Sequence, residues 1–237
     1  MARLLILRER QAAEATARLV LSAGHEPVLL PLQTIVPLAP PLPLGPFGAL
    51  IATSGNAFRS PALAPLRDLP VLAVGRATAE AARAAGFAAQ IAGEGTGASL
   101  AGEAAEAHAS TGRPLLYAAG RVRTDGLERA LSQAGVPFET VETYDTRDAS
   151  PDPAALDGAF AAPIDAVLLL SLGQARAWRR LLADHPRRLP SLPVPLCLSQ
   201  RIREGLGEGL AENALVSARP ELSALLARYG SPSSIDR

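Results

Sequence analysis

The sequence predicts an α/β protein with two similar domains, each built on a parallel β-sheet. Short apolar segments typical of buried strands alternate with amphipathic segments typical of helices, which is the rhythm of parallel α/β folds. The series also occurs twice, because the pattern near residues 3–32 returns about 111 positions later and that of residues 48–58 returns 117 positions later. Two copies of one pattern within 237 residues indicate two domains of similar fold.

The first copy begins with a buried strand, an amphipathic helix and a second strand. Its predicted elements, in order, are strand Arg3–Leu7, helix Gln11–Ala23 with its stop at Gly24, strand Pro27–Leu32, strand Ala49–Ala52 followed by Thr53-Ser54-Gly55-Asn56 and a helix, strand Val71–Val74, a helix from Gly75 to its stop at Gly86, strand Gln90–Ala92, and a helix that begins at Gly97-Ala98-Ser99.

The second copy repeats this order. Its predicted elements are strand Leu115–Tyr117, helix Thr124–Ala134 with its stop at Gly135, strand Phe138–Tyr144, an apolar strand within Asp165–Ala175 that ends at Ser171, strand Leu196–Leu198, a helix from Ser199 to about Gly209, and helix Leu222–Tyr229. The polar tail Ser231–Arg237 is predicted to be disordered.

The repeat leaves two ways to divide the chain into domains. The two halves fold one after the other, or the first strand–helix–strand packs with the last part of the chain and leaves the middle as an inserted domain. Under the second scheme the proline-rich segment Pro37–Pro46 and the polar segment Asp145–Pro153 are the crossovers between the domains.

Composition excludes several classes of enzyme. All 23 basic residues are arginine. The lack of lysine excludes Schiff-base and pyridoxal-phosphate chemistry, the P-loop lysine and the Tyr-x-x-x-Lys pair of short-chain dehydrogenases. The 23 acidic residues balance the charge, so no nucleic-acid or membrane-surface partner is expected. A metal site is not expected either, because His25, His108 and His185 are scattered and Cys197 is a single cysteine.

The chain is expected to be a cytoplasmic protein. The first apolar run, Leu4–Leu7, is too short for a signal peptide. The uncharged stretch 27–58 cannot form one membrane-spanning helix, because prolines recur through it.

Three predicted turns between a strand and a helix have the composition of anion-binding sites. Thr53–Asn56, Gly75–Thr78 and Gly97–Ser99 combine hydroxyls with glycine at helix N-termini, where backbone N–H groups lack partners. The alternative interpretation is that Ser54 or Asn56 only caps its helix. Arg121 and Arg123 follow a strand and suit bidentate recognition of carboxylates, although a solvated turn explains them equally well.

Four short motifs together resemble the uroporphyrinogen-III synthase family over nearly the whole chain. They are Thr53-Ser54-Gly55-Asn56-Ala57, Val74-Gly75-Arg76-Ala77-Thr78-Ala79, Glu142-Thr143-Tyr144-Asp145-Thr146, and Ser171 after its strand. The chain departs from the family at Leu7-Arg8-Glu9, where Thr-Arg-Pro is usual, and at Ser199-Gln200-Arg201-Ile202. Arg8 and Ser199 are therefore left out of the predicted site.

The resemblance implies two flavodoxin-like domains, interlocked in sequence, joined by a pair of extended connectors and flanking the active site. Residues 1–34 with 146–230 form one domain in this scheme, and residues 35–145 form the inserted one. The implied reaction closes the linear tetrapyrrole hydroxymethylbilane with loss of water and inversion of ring D, without a cofactor.

The implied catalytic residue is Tyr144, as proton donor to the leaving hydroxyl. A packing role is the alternative for a tyrosine in a strand. The turns, with the resemblance, predict a set of residues that bind the substrate's eight carboxylates without lysine: Thr53, Ser54, Asn56, Gly75, Thr78, Ser99, Arg121, Arg123 and Ser171. A monomer is expected, with transient contact with the preceding pathway enzyme.

Two other classes of function compete. Gly93-Glu94-Gly95-Thr96-Gly97-Ala98 matches the glycine pattern of dinucleotide-binding oxidoreductases, but it lies late in its unit and no acidic residue follows at the required distance. A two-domain protein that binds an anion or a tetrapyrrole without chemistry uses the same turns.

Overall fold

The structure is a computed structural model, and it describes residues 1–91, 100–186 and 191–230. The strands in chain order are β1 (Arg3–Ile6), β2 (Glu26–Leu29), β3 (Gln33–Pro37), β4 (Leu50–Ala52), β5 (Val71–Ala73), β6 (Ala89–Ile91), β7 (Leu115–Gly120), β8 (Phe138–Asp148), β9 (Ala166–Leu169), β10 (Val194–Cys197) and β11 (Leu215–Val216). The helices are α1 (Arg10–Ser22), α2 (Arg76–Ala84), α3 (Ala101–Thr111), α4 (Gly126–Gln133), α5 (Pro153–Ala159), α6 (Leu172–Asp184), α7 (Gln200–Glu204) and α8 (Leu222–Tyr229).

The chain divides into two compact units. The discontinuous unit contains Met1–Thr34 and the described residues from Asp148 onward, and the inserted unit is Ile35–Arg147. The chain passes from one unit to the other within β3 and again at the end of β8. The predicted crossover at Asp145 is therefore strand as far as Asp148, rather than an irregular linker.

The discontinuous unit is built on a five-stranded parallel sheet in the order β11-β10-β9-β1-β2. Leu4–Leu7 is fully buried, because both faces of the sheet are covered. Successive side chains point to opposite faces, so Leu5 and Leu7 lie in the apolar cluster around Trp178, and Leu4 and Ile6 lie in the cluster with Val20.

The inserted unit is built on a six-stranded sheet in the order β3-β8-β7-β4-β5-β6, in which the strands from β8 to β6 are parallel. Tyr117 and Ile51 lie in the cluster on one face, and Leu116 and Leu50 lie in the cluster on the other. The predicted fold class, two similar parallel α/β domains, is confirmed.

The two sheets have the same strand order when β7 of the inserted unit is matched with β1 of the discontinuous unit. The order β8-β7-β4-β5-β6 then matches β2-β1-β9-β10-β11, with α4 joining β7 to β8 as α1 joins β1 to β2. This correspondence is the spatial form of the repeat in the sequence. Gly24 and Gly135 end the matching helices with φ of 80° and 67°, the left-handed geometry that favours glycine.

Several predicted element boundaries were wrong. The segment after Thr53 forms two 3-10 helices, Gly55–Arg59 and Pro61–Leu66, instead of an α-helix. Pro61 and Pro65 lack the N–H groups that one continuous α-helix over these residues would require. β7 extends three residues beyond the predicted end at Tyr117, and α7 ends at Glu204 rather than near Gly209. The predicted disordered tail and the predicted start of α3 at Gly97–Ser99 lie outside the described residues.

Candidate functional site

The carboxyl end of the inserted unit's sheet has a topological switch point between β4 and β7. From β4 the chain continues toward β5 and β6, whereas from β7 it continues the other way to β8. Connections leave in opposite directions there and open a crevice, which is where open α/β sheets bind ligands. The predicted residues Thr53 and Arg121 directly follow these two strands.

The Thr53–Asn56 turn combines one capping hydroxyl with one hydroxyl bound to the core. Ser54 Oγ accepts a 3.3 Å hydrogen bond from the Asn56 backbone N–H and so caps the first 3-10 helix. Thr53 Oγ1 lies 3.0 Å from the hydroxyl oxygen of Tyr117. The Asn56 side chain makes no hydrogen bond within the described residues, so its amide group is open to a ligand.

Gly75 and Thr78 lie at the N-terminus of α2. Gly75 is the N-cap residue, and no side chain caps this end of the helix. A Cβ added to Gly75 would have no heavy atom of the described residues within 4 Å, so there is room for a ligand beside the N–H groups of the first turn. Thr78 is 6% exposed, and its hydroxyl makes no hydrogen bond within the described part of the chain.

The two turns pack directly on each other. A Cβ added to Gly55 would lie 2.7 Å from Ala81 Cβ and 4.0 Å from Thr78 Cα, so only glycine permits this approach of the first turn to α2. The Thr53–Asn56 turn therefore packs through Gly55 against Ala77, Thr78 and Ala81 in the first two turns of α2.

Arg121 and Arg123 belong to a line of alternating charges that we call the charge ladder. Its members, in order, are Glu128, Arg123, Glu142, Arg121, Asp145 and Arg147, with nitrogen–oxygen distances between successive partners from 2.7 to 3.4 Å. The two bonds from Arg121 and Arg123 lower the pKa of the Glu142 carboxyl. These pairs use Nε and Nη1 of both guanidinium groups, and Nη2 of each has no hydrogen-bond partner among the described residues.

Tyr144 is placed by a β-bulge in β8. Val141 pairs with Ala118 and Glu142 with Ala119, but the next pair joins Tyr144 to Gly120, so Thr143 is the extra residue. The bulge puts Tyr144 on the face of Val141, where it packs half-buried against an apolar cluster. Its ring covers Gly120, since a Cβ added there would lie 2.8 Å from the Tyr144 hydroxyl oxygen.

The discontinuous unit has its own switch point between β1 and β9. Ser171 follows β9 and caps α6, where its Oγ accepts a 3.2 Å hydrogen bond from Gln174 N–H. Arg8 follows β1 and donates a 3.1 Å hydrogen bond to Thr16 Oγ1. Burial lowers the pKa of the Arg8 guanidinium. Ser199 begins α7 without a side-chain capping bond.

Ser99 and the glycine motif Gly93–Ala98 lie outside the described residues. Within residues 1–91, 100–186 and 191–230, no group of three or more metal-ligating side chains comes together. Among the same residues no helix is long and apolar enough to cross a membrane. Cys197 is buried, and burial raises the pKa of its thiol to about 11, so the thiol is unreactive.

Sequence reasoning missed Tyr117, Glu142 and Glu128. Tyr117 is hidden within an apolar strand, and the signal that finds it is the internal repeat, which aligns it with Ile6. No sequence pattern near Glu142 or Glu128 indicates an ion pair. These glutamates contact Arg121 and Arg123 only because β8 pairs with β7 and α4 packs nearby.

The comparisons with known proteins agree with the resemblance in the sequence. The family model HEM4, described as uroporphyrinogen-III synthase HemD, matches residues 14–227. The uroporphyrinogen-III synthetase of Helicobacter pylori 26695 is similar over 97% of this chain and 98% of its own, with a TM-score of 0.63 at 18% identity. A mutant uroporphyrinogen III synthase of the extremely thermophilic bacterium Thermus thermophilus is similar over 97% of both chains at 19% identity, with a TM-score of 0.46.

At 18% identity the Helicobacter pylori structure supports the fold alone. No curated protein sequence matches the chain at a significant level. The family model, in contrast, spans most of the chain. The chain therefore belongs to the uroporphyrinogen-III synthase family, the cofactor-independent cyclising lyases of tetrapyrrole biosynthesis.

Proposed function

We propose that this enzyme converts hydroxymethylbilane to uroporphyrinogen III, with loss of water and inversion of ring D. The observation that carries the proposal is the contact between the Thr53–Asn56 turn and the N-terminus of α2. This contact places Gly55 against Ala77, Thr78 and Ala81 of α2, and in the proposal the hydrogen-bond donors of the two turns form one donor surface. Acetate and propionate groups are the anions that such donors bind without lysine.

In this proposal Thr53, Ser54, Asn56, Gly75 and Thr78 hold carboxylates of the substrate. Arg121 and Arg123 add hydrogen-bond donors through their Nη2 groups, while their ion pairs with Glu142 hold both side chains in place. Ser171, in the discontinuous unit, and Ser99, after β6, are proposed to bind further carboxylates. Holding the flexible tetrapyrrole by several carboxylates restrains it so that ring closure occurs at the substituted carbon.

Tyr144 is proposed to protonate the leaving hydroxyl. Its ring lies over Gly120, at the same end of the sheet as the donor surface, because the carboxyl ends of parallel strands share one edge. A neutral phenol can donate a proton to the departing oxygen as the carbon–oxygen bond breaks, and water leaves. The resulting cation forms a carbon–carbon bond to the substituted α-carbon of ring D. The bond from that carbon to its original bridge then breaks and re-forms at the other α-carbon of the ring, which inverts ring D and releases a proton that restores the phenol.

We further propose that the enzyme acts as a monomer in the cytoplasm and meets the preceding pathway enzyme transiently to receive its substrate. A single buried cysteine suits a reducing compartment.

The test of the proposed function is the isomer composition of the product. Hydroxymethylbilane is incubated with the purified protein, and the uroporphyrinogens formed are oxidised to uroporphyrins and separated by chromatography. We expect the type III isomer to predominate, with heat-unfolded protein giving the spontaneous type I isomer. Type I product alone, at the spontaneous rate, would refute the proposal, and tight substrate binding in the same sample would indicate a non-catalytic binding protein.

A further inference from the structure

Tyr117 carries a polar group into the core of the inserted unit for no reason that the fold requires. Its side chain is 2% exposed and lies in an apolar cluster with Ile51, Leu72 and Leu100. Phenylalanine would fill this space without desolvating a hydroxyl, and the hydroxyl of Tyr117 is instead bonded to Thr53.

The internal repeat shows that the same place in the other unit is apolar. Tyr117 pairs with Ile51 in β4, and the corresponding pair in the discontinuous unit is Ile6 with Leu168 in β9. Thr53, two residues after Ile51, then corresponds to Leu170. At this switch point the discontinuous unit therefore has Ile6 and Leu170, whereas the inserted unit has the hydroxyls of Tyr117 and Thr53.

The direction of the bond between Tyr117 and Thr53 follows from burial. The 3.0 Å oxygen–oxygen distance allows either hydroxyl to donate. If Thr53 donated, the Tyr117 proton would have no second acceptor within hydrogen-bond distance among the described residues, which is costly for a buried hydroxyl. Tyr117 therefore donates to Thr53 Oγ1. The proton of Thr53, which is half-exposed, is left for a group outside the core.

This arrangement makes Tyr117 the first member of a chain of donors. A hydroxyl that accepts one hydrogen bond becomes a better donor of the next, because each bond polarises its neighbour. The accepted bond also limits rotation of the Thr53 hydroxyl about its side chain. Burial raises the pKa of Tyr117 above its ordinary value of 10.0, against the lowering effect of the Thr53 bond, so the phenol stays protonated near neutral pH.

We propose that Tyr117 is a positioning residue, which directs the Thr53 hydroxyl outward so that it donates to a carboxylate of the bound tetrapyrrole. The inference rests on the proposed function for the identity of the ligand. In this inference Tyr117 strengthens carboxylate binding through Thr53 and through no other group.

A double-mutant cycle on the binding of uroporphyrin III tests this coupling without requiring turnover. The four proteins are the wild type, Tyr117→Phe, Thr53→Val and the double variant, and dissociation constants are measured by calorimetry. Loss of one hydrogen bond predicts about three- to tenfold weaker binding for each single variant. The double variant should bind about as the Thr53→Val variant does, because Tyr117 has no other route to the ligand.

The control variant is Tyr229→Phe, which removes a hydroxyl from a half-buried tyrosine of the discontinuous unit and should leave the dissociation constant unchanged. Turnover of hydroxymethylbilane by the four proteins gives the second readout, in which KM rises and kcat changes little.

Equal binding by the wild type and Tyr117→Phe would overturn the inference, as would independent, multiplicative losses in the double variant. A Tyr117→Phe protein that binds normally but melts earlier would show a purely structural bond. Coupled binding without type III product would uphold the inference and reject the proposed reaction. Absence of porphyrin binding by the wild type would reject both.

Discussion

Replacing Gly120 by alanine tests whether catalysis depends on where the ring of Tyr144 lies. The added Cβ would lie 2.6 Å from Tyr144 Cζ and 2.8 Å from its hydroxyl oxygen. Carbon atoms pack at about 3.5–4.0 Å, so the ring must retreat by about 1 Å. Because the ring is half-buried and can swing outward, we expect a stability loss near the low end of the overpacking range, about 1 kcal/mol.

The loss of activity should be much larger than the loss of stability. A displacement of about 1 Å in a reacting group lowers a rate by about 10²-fold. The assay is the initial rate of type III isomer formation, with the spontaneous type I isomer as internal standard, and urea denaturation gives the stability of the same sample. We expect Tyr144→Phe, which removes the proton donor and keeps the ring, to lose about 10²-fold or more at unchanged thermal midpoint.

The control for the alanine substitution is Gly126→Ala, because a Cβ at this first residue of α4 meets no heavy atom within 4 Å in the part of the chain that the structure describes. It should leave the rate unchanged. The double variant of Gly120 and Tyr144 should be no slower than Tyr144→Phe alone, since Gly120 acts only through the ring. A full rate in Tyr144→Phe would remove Tyr144 from the mechanism, and matched losses of rate and stability would make it a packing residue.

Four further outcomes are expected. Gly55→Ala, whose Cβ would lie 2.7 Å from Ala81 Cβ, should lose about 1–3 kcal/mol of stability in urea denaturation. Gly75→Ala should keep its stability and bind substrate more weakly. Equal stability of the two variants would contradict the packing of the two turns. Thr78→Val keeps the branched shape and should weaken substrate binding by about 1 kcal/mol in calorimetry, and normal binding with an early thermal midpoint would make Thr78 a packing residue only. Arg121 and Arg123 lower the pKa of Glu142 in the folded protein. Their ion pairs with Glu142 therefore stabilise the fold above the usual glutamate pKa, and this stabilisation is lost as the pH falls through the lowered pKa. The stability difference between the wild type and Glu142→Gln should shrink on acidification, and a constant difference in urea midpoints would reject the pairing. Residues 35–145 expressed alone should unfold cooperatively by calorimetry, and failure to do so, with cooperative unfolding of residues 1–111 instead, would favour domains that follow one another in sequence.

Arg121 and Arg123 illustrate how far the sequence predicts a site residue. Arg121 and Arg123 were predicted from their position after a strand, and the structure confirms that position. It also pairs both with glutamates, which no local pattern foreshadows, because Glu142 and Glu128 come from a neighbouring strand and a helix. The ligand role of the arginines stays a prediction that depends on their Nη2 atoms.

The sequence by itself determined the α/β class, the two copies of the fold and the helix stops. These features are local: an apolar run long enough for a strand is buried wherever it goes, and Gly24 and Gly135 adopt the left-handed backbone that other residues avoid. The Thr53 and Gly75 turns were likewise visible, because a residue at a strand end or a helix start is defined by its neighbours in the chain.

Only the tertiary structure decided which of these residues meet. The bulge at Thr143 moves Tyr144 to the other face of the sheet, and one residue of register is enough for this, because side chains alternate along a strand. The pairing of β4 with β7 brings the Thr53 and Tyr117 hydroxyls together across 64 positions of the chain. Such contacts depend on strand order and register, which arise from packing of the whole sheet. The local sequence around Thr53 or Tyr117 therefore does not indicate them.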